Sequence, residues 1–311
     1  MNNPKLLALI TIVFWSFGPF LSRLIAIKSQ FILLSLSYIF TFLTILGYCI
    51  YEYKKKFFLK IKATWVKGLL VGPFGYFIYS VSLIQSYRVF NSASETTILN
   101  YTWPIFTVIF TELFFRKKTR KSSSLQIIEV AAIILGFLSV IVLASKGNIA
   151  LLKILNIKGF GWGLLSGISY GIFSSYSGTI SKDEQSAFLF SSISFSLILM
   201  LILSVPELNL IETFTTNDLL IVATLGCLLN GIGYITWTAS NRLAREKNIS
   251  ISTVASLMFV LPLLSLVIIS ALLKETQLFQ PYFIVSLFLI ILSGVLSQKA
   301  EIAAKLLHLK L

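Results

Sequence analysis

Charged residues, histidine and cysteine are scarce in this sequence. Charged side chains make up 12% of the 311 residues, and the chain has one histidine, His308, and two cysteines, Cys49 and Cys227. Both cysteines lie inside apolar runs, which indicates buried thiols rather than a disulfide framework. Hydrolytic sites need a Ser–His pair, paired aspartates or a metal cluster. His308 lies in the C-terminal tail, and Asp183 and Asp218 lie in separate loops. We therefore expect no enzyme activity, no metal site and no cofactor.

Long polar segments are also missing, so we expect no soluble domain. Hydrophobic residues make up 56% of the chain, and the apolar runs are long enough to cross about 30 Å of hydrocarbon. This composition predicts an all-α membrane protein with ten transmembrane helices. The predicted spans are approximately Leu6–Ile27, Phe31–Tyr53, Trp65–Val89, Ser94–Phe115, Ser124–Ser145, Gly159–Ile180, Ser186–Val205, Leu219–Ala244, Ser250–Leu273 and Phe279–Lys299.

The net charge of +14 resides in short loops between the predicted spans, so it does not indicate nucleic-acid binding. If the N-terminus is cytoplasmic and the spans alternate, most of the 26 lysines and arginines fall on the cytoplasmic side. The expected location is a bacterial inner membrane, with both termini cytoplasmic and the first span retained as a helix. The expected partners are the lipid bilayer and a small-molecule substrate, and the expected assembly is a monomer.

One spacing recurs along the chain. The interval between Gly75 and Pro104 is the same as the interval between Gly233 and Pro262, and a tyrosine follows each of these glycines. The recurrence predicts two repeats of five spans each. Because five is odd, the second repeat enters the membrane from the opposite side, and such inverted repeats are typical of secondary transporters. The predicted repeats are residues 1–146 and 147–311.

Amide and aromatic side chains recur near the middle of several predicted spans, where lipid offers polar groups no partner. The functional interpretation is a substrate cavity; the alternative is helix packing, which also uses small and hydroxyl residues. We favour packing for the Ser and Gly positions and a cavity for the amide and aromatic positions. The candidate substrate-binding residues are Trp15, Tyr76, Tyr79, Asn100, Tyr101, Trp103, Tyr170, Tyr234 and Trp237.

Charged side chains are absent from the mid-depth positions, and this absence limits the substrate. A strongly charged solute is costly to bury without a fixed counter-charge, so a neutral or zwitterionic molecule is expected. Pro104 and Pro262 are candidate hinges, because proline removes a backbone donor and loosens a helix. Glu95 and Arg88 flank a predicted outer loop. They are candidates for a coupling or gating pair, with exposed loop-end charges as the alternative.

Three segments carry a resemblance to a known family. They are Glu95–Phe110 (ETTILNYTWPIFTVIF), Ile12–Phe17 (IVFWSF) and Gly233–Trp237 (GYITW). The chain resembles the EamA-type transporters of the drug/metabolite transporter superfamily over nearly its whole length, and Glu95–Phe110 is especially similar to bacterial aromatic amino acid exporters. The resemblance implies inverted five-helix halves around a cavity that opens alternately to each side. It also implies export of aromatic or other hydrophobic amino acids. Carried over by motif, the cavity residues are Tyr76, Asn100, Trp103 and Tyr170.

Two other functions stay open from the sequence. One is import of another metabolite, such as S-adenosylmethionine, by the same fold. The other is a membrane scaffold without transport, which predicts no flux and no substrate-dependent thermal shift.

Overall fold

The structure is a computed structural model, and it describes residues 3–25, 29–90, 93–115, 123–152, 156–208, 215–273 and 280–308. These residues form helices and turns and contain no strand. Large apolar side chains such as Leu70, Ile202 and Phe288 are exposed, whereas many serines and threonines are buried. A surface with this many exposed large apolar side chains suits lipid and not water. The all-helical membrane class expected from composition is confirmed.

The helices fall into two series along the chain. The first contains α1 (Pro4–Ser16), α2 (Gly18–Arg23), α3 (Gln30–Tyr53), α4 (Phe57–Pro73), α5 (Tyr79–Phe90), α6 (Ala93–Asn100), α7 (Trp103–Phe114) and α8 (Ser123–Ala144). The second contains α9 (Ile157–Ser177), α10 (Lys182–Ser204), α11 (Thr216–Thr224), α12 (Gly233–Glu246), α13 (Ile251–Leu257), α14 (Val260–Leu273) and α15 (Pro281–His308). A π-helical segment, Phe74–Ile78, joins α4 to α5, and a second one, Leu225–Ile232, joins α11 to α12.

Within the described ranges, six helical stretches are long and apolar enough to cross a bilayer. They are Pro4–Arg23, Gln30–Phe90, Gln126–Ala144, Lys182–Leu208, Thr216–Glu246 and Ile251–Leu272, and a shorter apolar helix covers Pro281–Ser297. The stretch Gln30–Phe90 is 61 residues long and contains both α3 and α4. Lys54, between these two helices, has a φ of 47°, so the chain changes direction there.

The first predicted span is interrupted, which the sequence interpretation did not anticipate. Helix α1 ends at Ser16, Phe17 lies in a turn, and α2 begins at Gly18. Pro19 lies in the first turn of α2. Proline has no amide hydrogen to donate to the preceding turn, so it is favoured at the start of a new helix.

The two candidate hinge prolines also lie at helix starts. Residues 101–102 form a turn between α6 and α7, and Pro104 lies in the first turn of α7. Residues 258–259 form the corresponding turn between α13 and α14, and Pro262 is the third residue of α14. Each break therefore precedes its proline, as expected where the proline removes a backbone hydrogen bond.

The packing of the two series is reciprocal. Helix α1 packs against α12 and α14, and α9 packs against α5 and α7. Helix α3 packs against the second π-helical segment, and α10 packs against α4. Helices α8 and α15 pack against each other. This arrangement brings α1 and α9, each from one series, to the centre of the molecule.

Candidate functional site

A cavity of about 520 Å³ lies between helices of both series. This volume is within the range of sites that enclose small molecules. The cavity reaches the surface beside Lys146, which is exposed. The wall is formed by Trp15, Gly18, Pro19, Tyr79, Leu83, Tyr87, Thr97, Asn100, Tyr101, Trp103, Val140, Leu143, Ala144, Lys146, Tyr170, Leu229, Asn230, Tyr234, Leu261, Pro262, Ser265, Leu266, Ile269 and Tyr282.

The wall is mainly apolar and aromatic, with a few amides and hydroxyls. Among the side chains that the structure describes, Lys146 at the mouth is the one charged member of the wall. The described residues also contain no group of three His, Cys, Asp or Glu side chains that could hold a metal ion. Such a surface suits a small molecule with an apolar or aromatic part and little net charge.

Trp15 is the centre of an aromatic cluster at the deep end of the cavity. Its ring centroid lies 6.2 Å from that of Trp103, 5.9 Å from Tyr170, 5.7 Å from Tyr234 and 6.3 Å from Trp237. Trp103 also meets Tyr170 edge-to-face at 4.9 Å. These separations are typical of favourable aromatic pairs, so the rings hold one another in position. The cluster joins α1, α7, α9 and α12.

The second π-helical segment supplies the hydrogen-bond partner of Trp15. The Gly233 amide donates to Leu228 O, five residues back, so it does not occupy Leu229 O as it would in a regular α-helix. Trp15 Nε1 donates to Leu229 O at 2.8 Å. A Cβ atom at Gly233 would overlap Trp15 Nε1. Glycine at this position and the π-helical backbone together allow the indole to approach.

The first π-helical segment accepts an equivalent bond from the other series. Tyr234 Oη donates to Gly75 O at 2.8 Å, and the Tyr234 ring stacks on Tyr76 with centroids 4.3 Å apart. Tyr38 Oη donates to Tyr76 O at 2.8 Å. Each π-helical segment thus presents a carbonyl to an aromatic donor from the opposite series, and π-helical turns often occur at functional sites. Tyr38 was not among the candidates selected from the sequence. Its position in the middle of an apolar span was the signal that could have revealed it.

The break between α6 and α7 places the amide and aromatic residues of the fourth predicted span. Asn100 ends α6 and lines the cavity, and Ser166 Oγ lies 3.4 Å from Asn100 Oδ1. Tyr101 lies in the turn, Trp103 begins α7, and both side chains are buried and contribute to the wall. The wall therefore contains seven candidates together with Pro262: Trp15, Tyr79, Asn100, Tyr101, Trp103, Tyr170 and Tyr234.

Three other candidates lie behind the wall. Tyr76 and Trp237 have 0% exposure. Trp237 belongs to the aromatic cluster but is not a wall residue, and Tyr76 stacks on Tyr234 behind the wall. Trp237 Nε1 donates to Ser174 Oγ at 2.9 Å. Pro104 is buried in α7 and is not one of the wall residues. A substrate that enters this cavity meets Tyr76 and Trp237 only if the cluster rearranges.

The two charged candidates lie apart from the wall. Arg88 Nη2 is 3.4 Å from Glu207 Oε1, and the Arg88 guanidinium lies 4.6 Å from the centroid of the Phe31 ring. Ser29 Oγ donates to the same Glu207 carboxylate. Glu95, at the start of α6, has 2% exposure. The structure therefore gives Arg88 an ion-pair partner, Glu207, that the sequence interpretation did not consider.

A stripe of four glycines on α9 was also missed. A Cβ atom at Gly159 would lie 2.8 Å from Phe90, one at Gly163 would lie 2.7 Å from Leu99, and one at Gly171 would lie 2.5 Å from Phe106 Cβ. Gly167, the fourth member, faces Thr102 and Leu99 at similarly short range. Small residues at intervals of four let transmembrane helices approach closely. Their spacing in the sequence was the signal that could have revealed this contact.

The comparisons with known proteins agree with this architecture. Residues 4–145 match the model of the EamA-like transporter family. Among curated proteins, no relative matches the chain. A solved structure titled "Crystal structure of protein" superposes with a TM-score of 0.73, covers 98% of each chain and is 16% identical. At this identity the likeness shows a shared fold alone. The matched family segment ends at the end of α8, so it coincides with the first series of helices.

Proposed function

We propose that this protein is a secondary transporter of the drug/metabolite transporter type that moves a small solute by alternating access. The observation that carries the proposal is the cavity itself, which is aromatic and open beside Lys146 and stops at the cluster around Trp15. A solute site at the centre of the helices, reached from one side at a time, is what such a carrier needs. The match of residues 4–145 to the EamA-like transporter family supports the same function.

We also propose ten membrane crossings in two inverted repeats, residues 1–146 and 147–311. Grouping helices across their breaks gives five units in each series, with a π-helical segment in the third unit and a turn in the fourth. The reciprocal packing of α1 on α12 and of α9 on α5 supports this division. Because each repeat crosses the membrane five times, the two repeats are antiparallel in the bilayer.

The proposed orientation puts both termini in the cytoplasm of a bacterial inner membrane. The distribution of lysines and arginines among the loops supports it. Lys146 follows the fifth crossing in this scheme, so the cavity opens to the outside. The structure then corresponds to an outward-open conformation.

The proposed substrates are aromatic or other hydrophobic amino acids, or similar small zwitterions, and the proposed direction is export. The ring faces of Trp15, Trp103 and Tyr170 offer an apolar surface, and an ammonium group gains cation–π attraction there. Asn100 and Tyr79 offer hydrogen bonds to a polar head group at the same wall. The uncharged wall supports a substrate without net charge.

The remaining candidates have supporting roles in this proposal. Tyr101 contributes to the wall at the break, and Tyr234 holds the first π-helical segment through Gly75 O. Tyr76 and Trp237 contact the solute only after the cluster rearranges. Pro104 and Pro262 are the proposed hinges, since each follows a break in the helix.

Counterflow in proteoliposomes tests this function. We expect aromatic amino acids to exchange, and we expect Trp103→Ala and Asn100→Ala each to lower exchange about tenfold, the effect of losing roughly one good ring or hydrogen-bond contact. Trp162→Ala is the matched control, because Trp162 is partly exposed on the outer face of α9. Exchange unchanged in both cavity variants contradicts the site. Inhibition by adenosyl compounds and not by aromatic amino acids contradicts the proposed substrate.

A further inference from the structure

The end of the molecule opposite the cavity mouth contains a second, nearly closed space between α7, α9, α12 and α13. Its volume is about 10 Å³, which is room for roughly one water molecule. We call its lining the polar seam. The polar seam consists of Thr107, Thr111, Ser174, Ser175, Gly178, Asn241, Arg245 and Ile251.

The polar seam contains a buried group that the present packing does not satisfy. Asn241 has 1% exposure, and its Oδ1 atom has no hydrogen-bond partner among the described residues. A buried polar atom without a partner costs stability, so a helix contact selected only for packing would avoid it. Six of the eight lining side chains carry hydroxyl, amide or guanidinium groups. A lining of this kind suits passage of a hydrated or polar solute.

Ser174 connects the polar seam to the aromatic cluster. Trp237 Nε1 donates to Ser174 Oγ at 2.9 Å, and Asn241 Nδ2 donates to the same oxygen at 3.1 Å and to Ser174 O at 3.4 Å. Both donors belong to α12, and both acceptors belong to α9. Trp237 in turn lies 5.3 Å from Trp103 between ring centroids. One residue on α9 therefore holds both the side chain beneath the cavity and the amide of the polar seam.

We infer that the polar seam is the second half of the solute route in its closed form, and that Ser174 is the positioning residue that keeps it closed. The inference rests on the proposed transport function. When the hydrogen bonds to Ser174 break, Trp237 and Asn241 are free to move away from α9 together. The cavity then continues past Trp103 into the polar seam, where the Asn241 amide and the hydroxyls hydrogen-bond the polar group of the solute.

The neighbouring residue provides a matched control. Ser175 also lines the polar seam, but its Oγ donates to Ile172 O at 3.0 Å within its own helix. Ser175→Ala therefore removes the same atom as Ser174→Ala, from the adjacent position, without removing a bond between α9 and α12.

The test measures how readily the polar seam opens, independently of transport. The two native cysteines are replaced, Cys49→Ala and Cys227→Ala, and Thr111→Cys places a reporter thiol in the polar seam. The readout is the rate at which a small maleimide alkylates this thiol in the purified full-length protein. We expect Ser174→Ala to raise the rate about tenfold, as for loss of one to two net hydrogen bonds, and Ser175→Ala to leave it within about twofold.

Equal rates in the two serine variants overturn the inference, whether both rise or neither does. Thermal unfolding of each variant checks that it is folded. If Ser174→Ala does not fold, Asn241→Ala removes the two bonds that Asn241 donates from α12, of which the bond to Ser174 Oγ is also lost in Ser174→Ala. Its rate is compared with that of Ser175→Ala in the same way. Counterflow is measured separately. Absent counterflow with a responsive reporter rejects the transport function, and normal counterflow with an unresponsive reporter rejects the polar seam as its route.

Discussion

Helices α1 and α9 occupy equivalent places in the reciprocal packing, yet they differ in how closely their neighbours approach. Helix α9 lies directly against α5, α6 and α7 along its four glycines. Helix α1 carries Trp15, breaks at Phe17, and shares with α14 the wall of the cavity. In the described part of the molecule, no cavity lies where α9 packs along its glycines, whereas α1 lines the cavity at Trp15. Side-chain volume on the central helices therefore contributes to where this conformation holds a cavity, even though the packing of the two series is reciprocal.

The largest effect is expected from adding a Cβ atom where a glycine of α9 lets a neighbouring helix approach closely. Gly171→Ala places a Cβ atom 2.5 Å from Phe106 Cβ and 3.1 Å from the Phe106 backbone carbon, so α7 must move. We expect the free energy of unfolding to fall by about 1–3 kcal/mol, the usual cost of overpacking. Thermal unfolding in detergent measures the change.

Gly161→Ala is the control for this prediction, because it lies on the same helix with nothing within 4 Å of the added Cβ atom. It should be neutral or slightly stabilising, since alanine favours a helix over glycine. Equal loss of stability in both variants contradicts the role of close approach and points to a general effect on α9.

A smaller effect is expected from the two aromatic donors that face the π-helical segments. Trp15→Phe and Tyr234→Phe keep a ring but leave Leu229 O or Gly75 O without its donor. We expect each to lower the free energy of unfolding by about 1–2 kcal/mol, the cost of one unmade buried hydrogen bond. Similar losses in the two variants would show that the two series depend equally on this contact.

Tyr76→Phe sharpens the interpretation of those losses. The Tyr76 hydroxyl is buried, and it has no hydrogen-bond partner within the part of the chain that the structure describes. Its removal should be neutral or stabilising, because no bond is lost and a polar atom leaves the interior. A loss as large as that of Tyr234→Phe would mean that ring stacking, and not the hydroxyl donors, dominates.

The smallest loss of stability is expected at the surface pair of Arg88 and Glu207. Their side chains are 40% and 24% exposed, and the closest N–O distance is 3.4 Å. Arg88→Gln should cost less than about 1 kcal/mol, and the loss should shrink at high salt. Unfolding measured at two salt concentrations checks this. A large loss that salt leaves unchanged would instead support a gating role for Arg88.

Much of the site was recognisable from residue types, but its geometry was not. An amide and several aromatic rings inside apolar spans indicated a cavity, and seven of these candidates now share one wall. The placement of Tyr76 and Trp237 behind that wall depends on the direction in which each side chain leaves its helix. A π-helical turn changes that direction, and the recurring Gly-Tyr pairs at Gly75 and Gly233 did not by themselves predict one. The partner of Arg88 was missed because Glu207 is distant in sequence and adjacent only after α3, α5 and α10 have packed.

By itself the sequence determined that this is a helical membrane protein, because apolar runs of this length with so few charges are stable only across lipid. It also indicated the breaks near Pro104 and Pro262, because proline has no amide hydrogen to donate. Only the tertiary structure decided which central helix closes against its neighbours and which leaves room. That outcome depends on contacts of a few ångströms between residues far apart in the chain, such as Trp15 with Leu229 and Gly171 with Phe106.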